Sequence, residues 1–273
     1  TDIPMKKFCK SKYIFLNIPL IILISLVVAR GHAQDARTII SKSIDAGKFT
    51  GIETISELKI FDQKGRVRTR EIYMASKTFE DDLEKRLIIF MAPADIKGTG
   101  MLIFDYENKQ DDMWMYMPAL RKTRRIVSSE KSKSFMGSEF SNADMAAVNI
   151  DDFSYELIGE SEIQNTPCWK IKSTSVSEAV TDEYGYRSQE LFIGKDDFTL
   201  RRSVYYDREN DLLKTLENSN IEEVDPDQNK FMARHMIMEN HQNGRKSEII
   251  MEDITLNKQL DGGIFTTMFL ERQ

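Results

Sequence analysis

Residues 199–256 read TLRRSVYYDRENDLLKTLENSNIEEVDPDQNKFMARHMIMENHQNGRKSEIIMEDITL. Four runs rich in aliphatic, aromatic and charged residues, 199–207, 212–224, 230–240 and 245–256, are divided by Asn210-Asp211, Asp225-Pro226-Asp227 and Asn243-Gly244. Asn, Asp and Gly tolerate the turn conformations that reverse a chain, so such runs read as neighbouring antiparallel strands joined by tight connections. Phe231, Ala233 and Ile237 share one parity and Arg234 has the other. Period-2 alternation of this kind marks a sheet with one dry face and one wet face.

The same grammar extends outward in both directions. Strands 54–61 and 67–75 flank the hairpin turn Asp62-Gln63-Lys64-Gly65. Further strands are expected at 84–92, 100–106, 112–117, 153–163, 167–175 and 186–194, punctuated by Asn108, Gly159 and Gly194-Lys195-Asp196-Asp197. Even spacing predicts an antiparallel meander and not βαβ units. Before it, Asp35 to Lys48 reads as a helix: Ala36, Ile39, Ile40, Ser43 and Ile44 fall at helical spacing, and Gly47 ends it. A short helix is expected near Phe265 to Glu271. Residues 118–150 break the pattern with a basic cluster, Ser/Gly turns and a small helical piece around Asp144 to Val148. A connection of this length inside a domain is usually functional.

Residues 1–33 differ in kind. Lys6, Lys7, Lys10 and Lys12 precede an apolar run from Ile14 to Ala29, and Gly31-His32-Ala33 follows. This is the layout of a secretory signal peptide cut after Ala33, with Met5 as the expected start and 34–273 as one domain. Only Cys168 then remains, so no internal disulfide is expected, and no cysteine follows the apolar run at a lipid-anchor position. The chain has 38 basic and 44 acidic residues; without 1–33 the balance is 33 to 43, a net charge of −10. An acidic exported protein is a poor fit to nucleic acid.

Chemistry-bearing motifs are sparse. His235 and His241 lack metal-site spacing, so no metal site is expected. There is no Gly-x-Ser-x-Gly and no phosphate loop, so neither a catalytic set nor a cofactor is expected. The acidic pairs Asp81-Asp82, Asp111-Asp112, Asp151-Asp152 and Asp196-Asp197 read as solvated turns.

The strands at 100–106 and 112–117 are apolar on both faces. Leu102, Phe104 and Tyr106 oppose Met101 and Ile103, while Trp114 and Tyr116 oppose Met113, Met115 and Met117. Either both faces are covered by protein, or one packs on a core and the other lines an apolar pocket. Thirteen of the 14 methionines follow residue 33. Their flexible thioethers suit surfaces that accept varied apolar ligands, and they also serve as ordinary core filler.

One block is specific enough to carry a resemblance. It runs Phe90-Met-Ala-Pro93, Ile96-Lys97-Gly98-Thr99-Gly100, Trp114-Met-Tyr116-Met-Pro118-Ala-Leu120, Arg121-Lys122, Arg124-Arg125-Ile126, Ser134-Phe135-Met136-Gly137-Ser138, Phe140 and Asp144. With these elements in order, residues 50 to 260 resemble the outer-membrane lipoprotein-sorting proteins, which share the fold of the LolA/LolB lipoprotein carriers. The resemblance implies an incomplete antiparallel β-barrel wrapping helices and an apolar cavity. It also implies a soluble periplasmic, non-enzymatic carrier of Gram-negative bacteria that binds lipid or lipoprotein acyl chains, serves an inner-membrane transporter and touches membrane surfaces transiently. The alternative is an envelope interaction module that partners such a transporter.

Under that reading Phe90, Leu102, Phe104, Trp114, Met115, Tyr116 and Met117 are candidates for the cavity wall. Trp114 and Tyr116 suit core packing as well. Arg121, Lys122, Arg124 and Arg125 would hold anionic headgroups or dock a partner, or else form a solvated face. Phe135, Gly137, Ser138 and Asp144 would belong to a lid, with Asp144 paired to one of those arginines.

Overall fold

The turn residues act as the sequence requires. Asp62 accepts hydrogen bonds from the backbone N–H groups of Lys64 and Arg66, and Gly65 takes a left-handed φ of 74°, closing the first hairpin. In the last hairpin Asn240 caps Gln242 and Asn243, and Gly244 has φ 63°. The computed structural model describes Thr1 and residues 36–106, 109–257 and 259–272. The expected signal peptide lies outside these, apart from Thr1.

Thirteen strands form one wholly antiparallel sheet. Its first half comprises β1 (Ile52–Phe61), β2 (Val67–Thr78), β3 (Glu84–Ala92), β4 (Gly100–Asp105), β5 (Asp112–Met117) and β6 (Lys122–Ile126). The second comprises β7 (Phe153–Ile163), β8 (Thr166–Ser175), β9 (Ser188–Gly194), β10 (Leu200–Tyr206), β11 (Leu212–Asp225), β12 (Lys230–Asn240) and β13 (Arg245–Leu256). Each strand pairs with its neighbour in sequence, except that β1 pairs with β13 and leaves β6 and β7 at opposite edges. The sheet is therefore open, the incomplete barrel that the resemblance implies. Among the described residues the helices are α1 (36–46), α2 (Ser128–Lys131), α3 (Glu178–Tyr184) and α4 (Thr267–Leu270). None is long and apolar enough to cross a membrane.

Strand parity sorts the core into two layers. Leu58, Ile60, Ile72, Ile88, Phe90, Met101, Ile103 and Met113 join the main cluster with α1 and the β6–β7 connection. Ala75, Leu87, Ile89, Leu102 and Tyr116, of opposite parity, pack on the other face against Leu260, Phe265 and Leu270 of the C-terminal segment. The two-faced strands are thus covered by protein on both sides. β6 was not expected: its sequence, Lys-Thr-Arg-Arg-Ile, has one buried residue and no apolar alternation. Pairing with β5 supplies what propensity did not. α3 was also not expected; Ser177 caps its Val180 N–H and Gly185 ends it at φ 82°.

Gly51 seals the entry into β1. Its carbonyl accepts the N–H of Asn257, and a Cβ there would lie 2.1 Å from the Asn257 carbonyl oxygen. Backbone cannot rotate away as a side chain can. Gly51→Ala is therefore expected to cost about 1–3 kcal/mol as an overpacking substitution. Thermal unfolding would show it, and an unchanged midpoint would mean that the two backbones separate freely.

Candidate functional site: a cavity beneath a crossing segment

Because β6 and β7 are opposite edges, residues 127–152 must travel from one edge of the sheet to the other. They do so over the concave face. Phe135 (1% exposed) packs against Phe90 of β3, their rings tilted by 34° with centroids 5.6 Å apart. Met136 (φ 50°) and Gly137 (φ 81°) turn the segment back, and Ser138 closes the turn by donating to the Phe135 carbonyl. Arg70 of β2 donates to the Met136 carbonyl, and Arg245 of β13 donates to that of Gly137. Arg245 also pairs with Glu139 at 3.1 Å. Asp144 accepts from the Ser141 N–H and pairs at 2.8 Å with Lys214 of β11. The expected partner of Asp144, an arginine of the basic cluster, is replaced by Lys214. Lys214 reaches it because its parity on β11 points into the concavity.

Between this segment, α1 and the sheet lies a cavity of about 390 Å³. This is within the range of small-ligand sites. Ile40 and Ile44 of α1 form one end, and Met74, Met232, Met236, Met238 and Met251 form the sheet wall with Ile249 and Leu216. Phe140, Met145 and Val148 form the roof, and Tyr155, Tyr184, Tyr186 and Tyr205 the far side. Burial pushes these four phenols above their ordinary value. The hydroxyls of Thr54 and Tyr155 on the wall are buried without a partner among the described residues.

The expected wall residues lie elsewhere, and this is a correction. Phe90, Met115 and Met117 belong to or pack against the main cluster, outside the cavity lining. Leu102, Phe104, Trp114 and Tyr116 lie in the outer cluster under the C-terminal segment, Trp114 packed edge-on to Phe104 at 5.0 Å. Of the lid candidates only Asp144 reaches the lining; Phe135, Gly137 and Ser138 fold and anchor the segment. In the basic cluster Arg124 pairs with Glu130 at 2.6 Å and Arg125 with Asp112. Arg121 and Lys122 are exposed at the β5–β6 turn beside Leu120, which is 63% exposed.

Sequence reasoning missed the charges at one end of the cavity. Glu84 and Arg86 have the inward parity of Ile88 and Phe90 and form an ion pair at 2.8 Å. Parity was the signal that could have exposed them. Arg86 also donates to the Met145 carbonyl, and Ser76 to Glu84. Burial alone would raise the Glu84 carboxyl, but Arg86 and Ser76 outweigh it and hold it below its ordinary value. Asp105, at the end of β4, accepts the Ala147 N–H at 3.1 Å. Burial, with Glu84 and Asp111 near it, pushes its carboxyl up to about 7 despite Arg86. Burial likewise takes Asp111 to about 6 against the pull of Lys131. The Asp111 side chain is only 11% exposed, so it is not the freely solvated turn residue expected.

The Asp105 shift has a stability consequence. A carboxyl whose folded value lies near 7, above the ordinary 3.8, favours folding fully only below its unfolded value. That contribution is lost as pH rises through 7. Asp105→Asn is expected to gain on the native protein between about pH 5 and pH 8 in urea unfolding. An equal difference at both pH values would show that Arg86 neutralises Asp105.

An open antiparallel sheet wrapped around helices places the chain among LolA-like half-barrels in fold. Residues 82–272 match the model of a family described as uncharacterized protein-like. The chain belongs to this family, and its structural relatives are outer-membrane lipoprotein-sorting and LolA superfamily proteins. It is similar to a domain from Vibrio parahaemolyticus assigned as an outer membrane lipoprotein-sorting protein, with 26% identity and a TM-score of 0.80, covering 88% of this chain and 100% of that one. A DUF1329 family protein from Desulfovibrio piger gives 28% identity and a TM-score of 0.80 over 88% of this chain and 99% of that one. A LolA superfamily protein from Nitrosomonas europaea, at 20% identity and a TM-score of 0.65 over 86% and 98%, shares the fold. No curated protein matches the sequence.

Proposed function

We propose that this protein is a periplasmic carrier that shields acyl chains of lipoproteins or lipids in its concave cavity for transport or sorting to the outer membrane, without catalysing a reaction. The observation that carries this is the cavity itself: about 390 Å³, walled by methionine, isoleucine and tyrosine, under a segment that must cross it. Each buried methylene contributes about 0.8 kcal/mol, so a long chain in a permanently open cleft would bind too tightly to release. The Phe135–Phe90 contact and the Lys214–Asp144 pair oppose opening and offset part of that gain. Residues 1–33 would direct export and 34–273 would form the carrier domain. Leu120, Arg121 and Lys122 would make the transient contact with a membrane surface or transporter.

Native mass spectrometry of the protein purified from its own periplasm, with organic extraction of bound species, tests this reading. A bound lipid or acylated peptide is the expected result. An apo mass together with no uptake of added fatty acid or phospholipid would overturn the carrier and favour the docking module.

A further inference from the structure

The apolar cavity does not end at its apolar wall. Ile44, Glu84 and Val148 line both it and a smaller recess of about 150 Å³. Asp45, Asp82, Asp105 and Asp111 also line this recess, and among the described residues its only lining cation is Lys48. Most of these charges are matched. Lys48 pairs with Asp45 at 3.2 Å, Arg86 with Glu84, and Lys131 lies 3.9 Å from Asp111 while bonding Glu183. Asp105 is not matched in this way. It is 6% exposed, its Oδ1 accepts from Ala147, and its Oδ2 has no hydrogen-bond partner among the described residues. A buried carboxylate oxygen without a donor costs free energy that a ligand donor would recover. Among the described residues no group of three or more carboxylate, His or Cys side chains is placed to hold a metal ion.

We propose that the recess takes the protonated amine of an amphiphile whose hydrocarbon tail fills the cavity. This rests on the carrier reading and adds the headgroup class. An ammonium brings up to three N–H donors and a positive charge to a site whose unmatched atom is a carboxylate oxygen. A carboxylate or phosphate headgroup would bring like charge to Asp105, Glu84 and Asp111 and leave Oδ2 unpaired. The roof that would cover the headgroup is Ala147 to Ile150, continuous with the lid over the tail.

Calorimetric titration of the protein with dodecylamine, dodecanol and dodecanoate at about pH 8, above the value of about 7 to which burial pushes Asp105, tests it. Dodecylamine is expected to bind about tenfold tighter than dodecanol, the worth of one charge-assisted hydrogen bond, with dodecanoate weakest. In Asp105→Asn the amine-to-alcohol ratio should fall towards one, while the exposed control Glu156→Gln keeps it. Equal binding of the three ligands, a preference for dodecanoate, or an undiminished ratio in Asp105→Asn would overturn the headgroup assignment and leave the carrier standing. No binding of any of the three would overturn the carrier reading and this inference together. The ranking on the unmodified protein needs no variant to fold.

Discussion

Replacing Lys214 by alanine is expected to cost about 3–5 kcal/mol of stability, as breaking one side of a buried ion pair does. The Lys214 side chain is 8% exposed and that of Asp144 15%, with 2.8 Å between them. The ammonium also lies 4.9 Å from the centre of the Tyr205 ring. Removing it leaves the Asp144 carboxylate on the cavity lining without its cation, held by the Ser141 N–H and only partly reached by water. Urea unfolding reads the cost, and a loss below about 1 kcal/mol would show that the pair is solvated as a surface pair is. The double variant Lys214→Met with Asp144→Leu separates charge from shape. Replacing both charges by apolar groups of similar size is often neutral or stabilising. Recovery in the double variant, with slower ligand uptake than in Lys214→Ala, would identify the pair as the latch of the lid.

Phe135→Ala is expected to remove about 3–5 kcal/mol, the usual cost of deleting a fully buried phenyl ring. Phe135 and Phe90 are each 1% exposed, and their tilted rings pack together beside the Met136–Gly137 turn. The ring ties the crossing segment to β3, so its loss should also raise hydrogen exchange across 133–146 more than across β8 and β9. Exchange rising equally everywhere would mean that the segment and the sheet unfold as one unit and that no lid opens separately. Phe135→Leu should recover about half the loss, because it restores buried area but not the ring–ring contact.

The antiparallel meander was legible before any coordinates. Turn pairs such as Asn243-Gly244 and the cap from Asp62 act locally, so the residues that make each turn are adjacent in the chain. α1 was legible for the same reason, from the 3.6-residue spacing of Ala36, Ile39, Ile40 and Ile44. β6 was not, because Lys122 to Ile126 forms a strand only when β5 offers its edge.

The candidate cavity was misplaced for a related reason. Trp114, Tyr116, Leu102 and Phe104 are as apolar as any wall residue, and parity says only that they share a face. Which face lies over open space depends on Leu260, Phe265 and Leu270 returning from the C-terminus to cover theirs. The cavity wall draws on β1, β2, β9, β12, β13 and α1, among others, so that residues as far apart in the chain as Met74 and Met251 line one space.

By itself the sequence determined most of the strands, their turns and which side chains share a face, since hairpin pairing and pleat are set by near neighbours. The tertiary structure alone decided that β1 joins β13, which makes β6 and β7 opposite edges and sends residues 127–152 across the concave face. That crossing creates the roofed cavity and brings Lys214 to Asp144 and Ala147 to Asp105. Such pairings join residues far apart in the chain, and they become favourable only once the sheet has curled and excluded water between them.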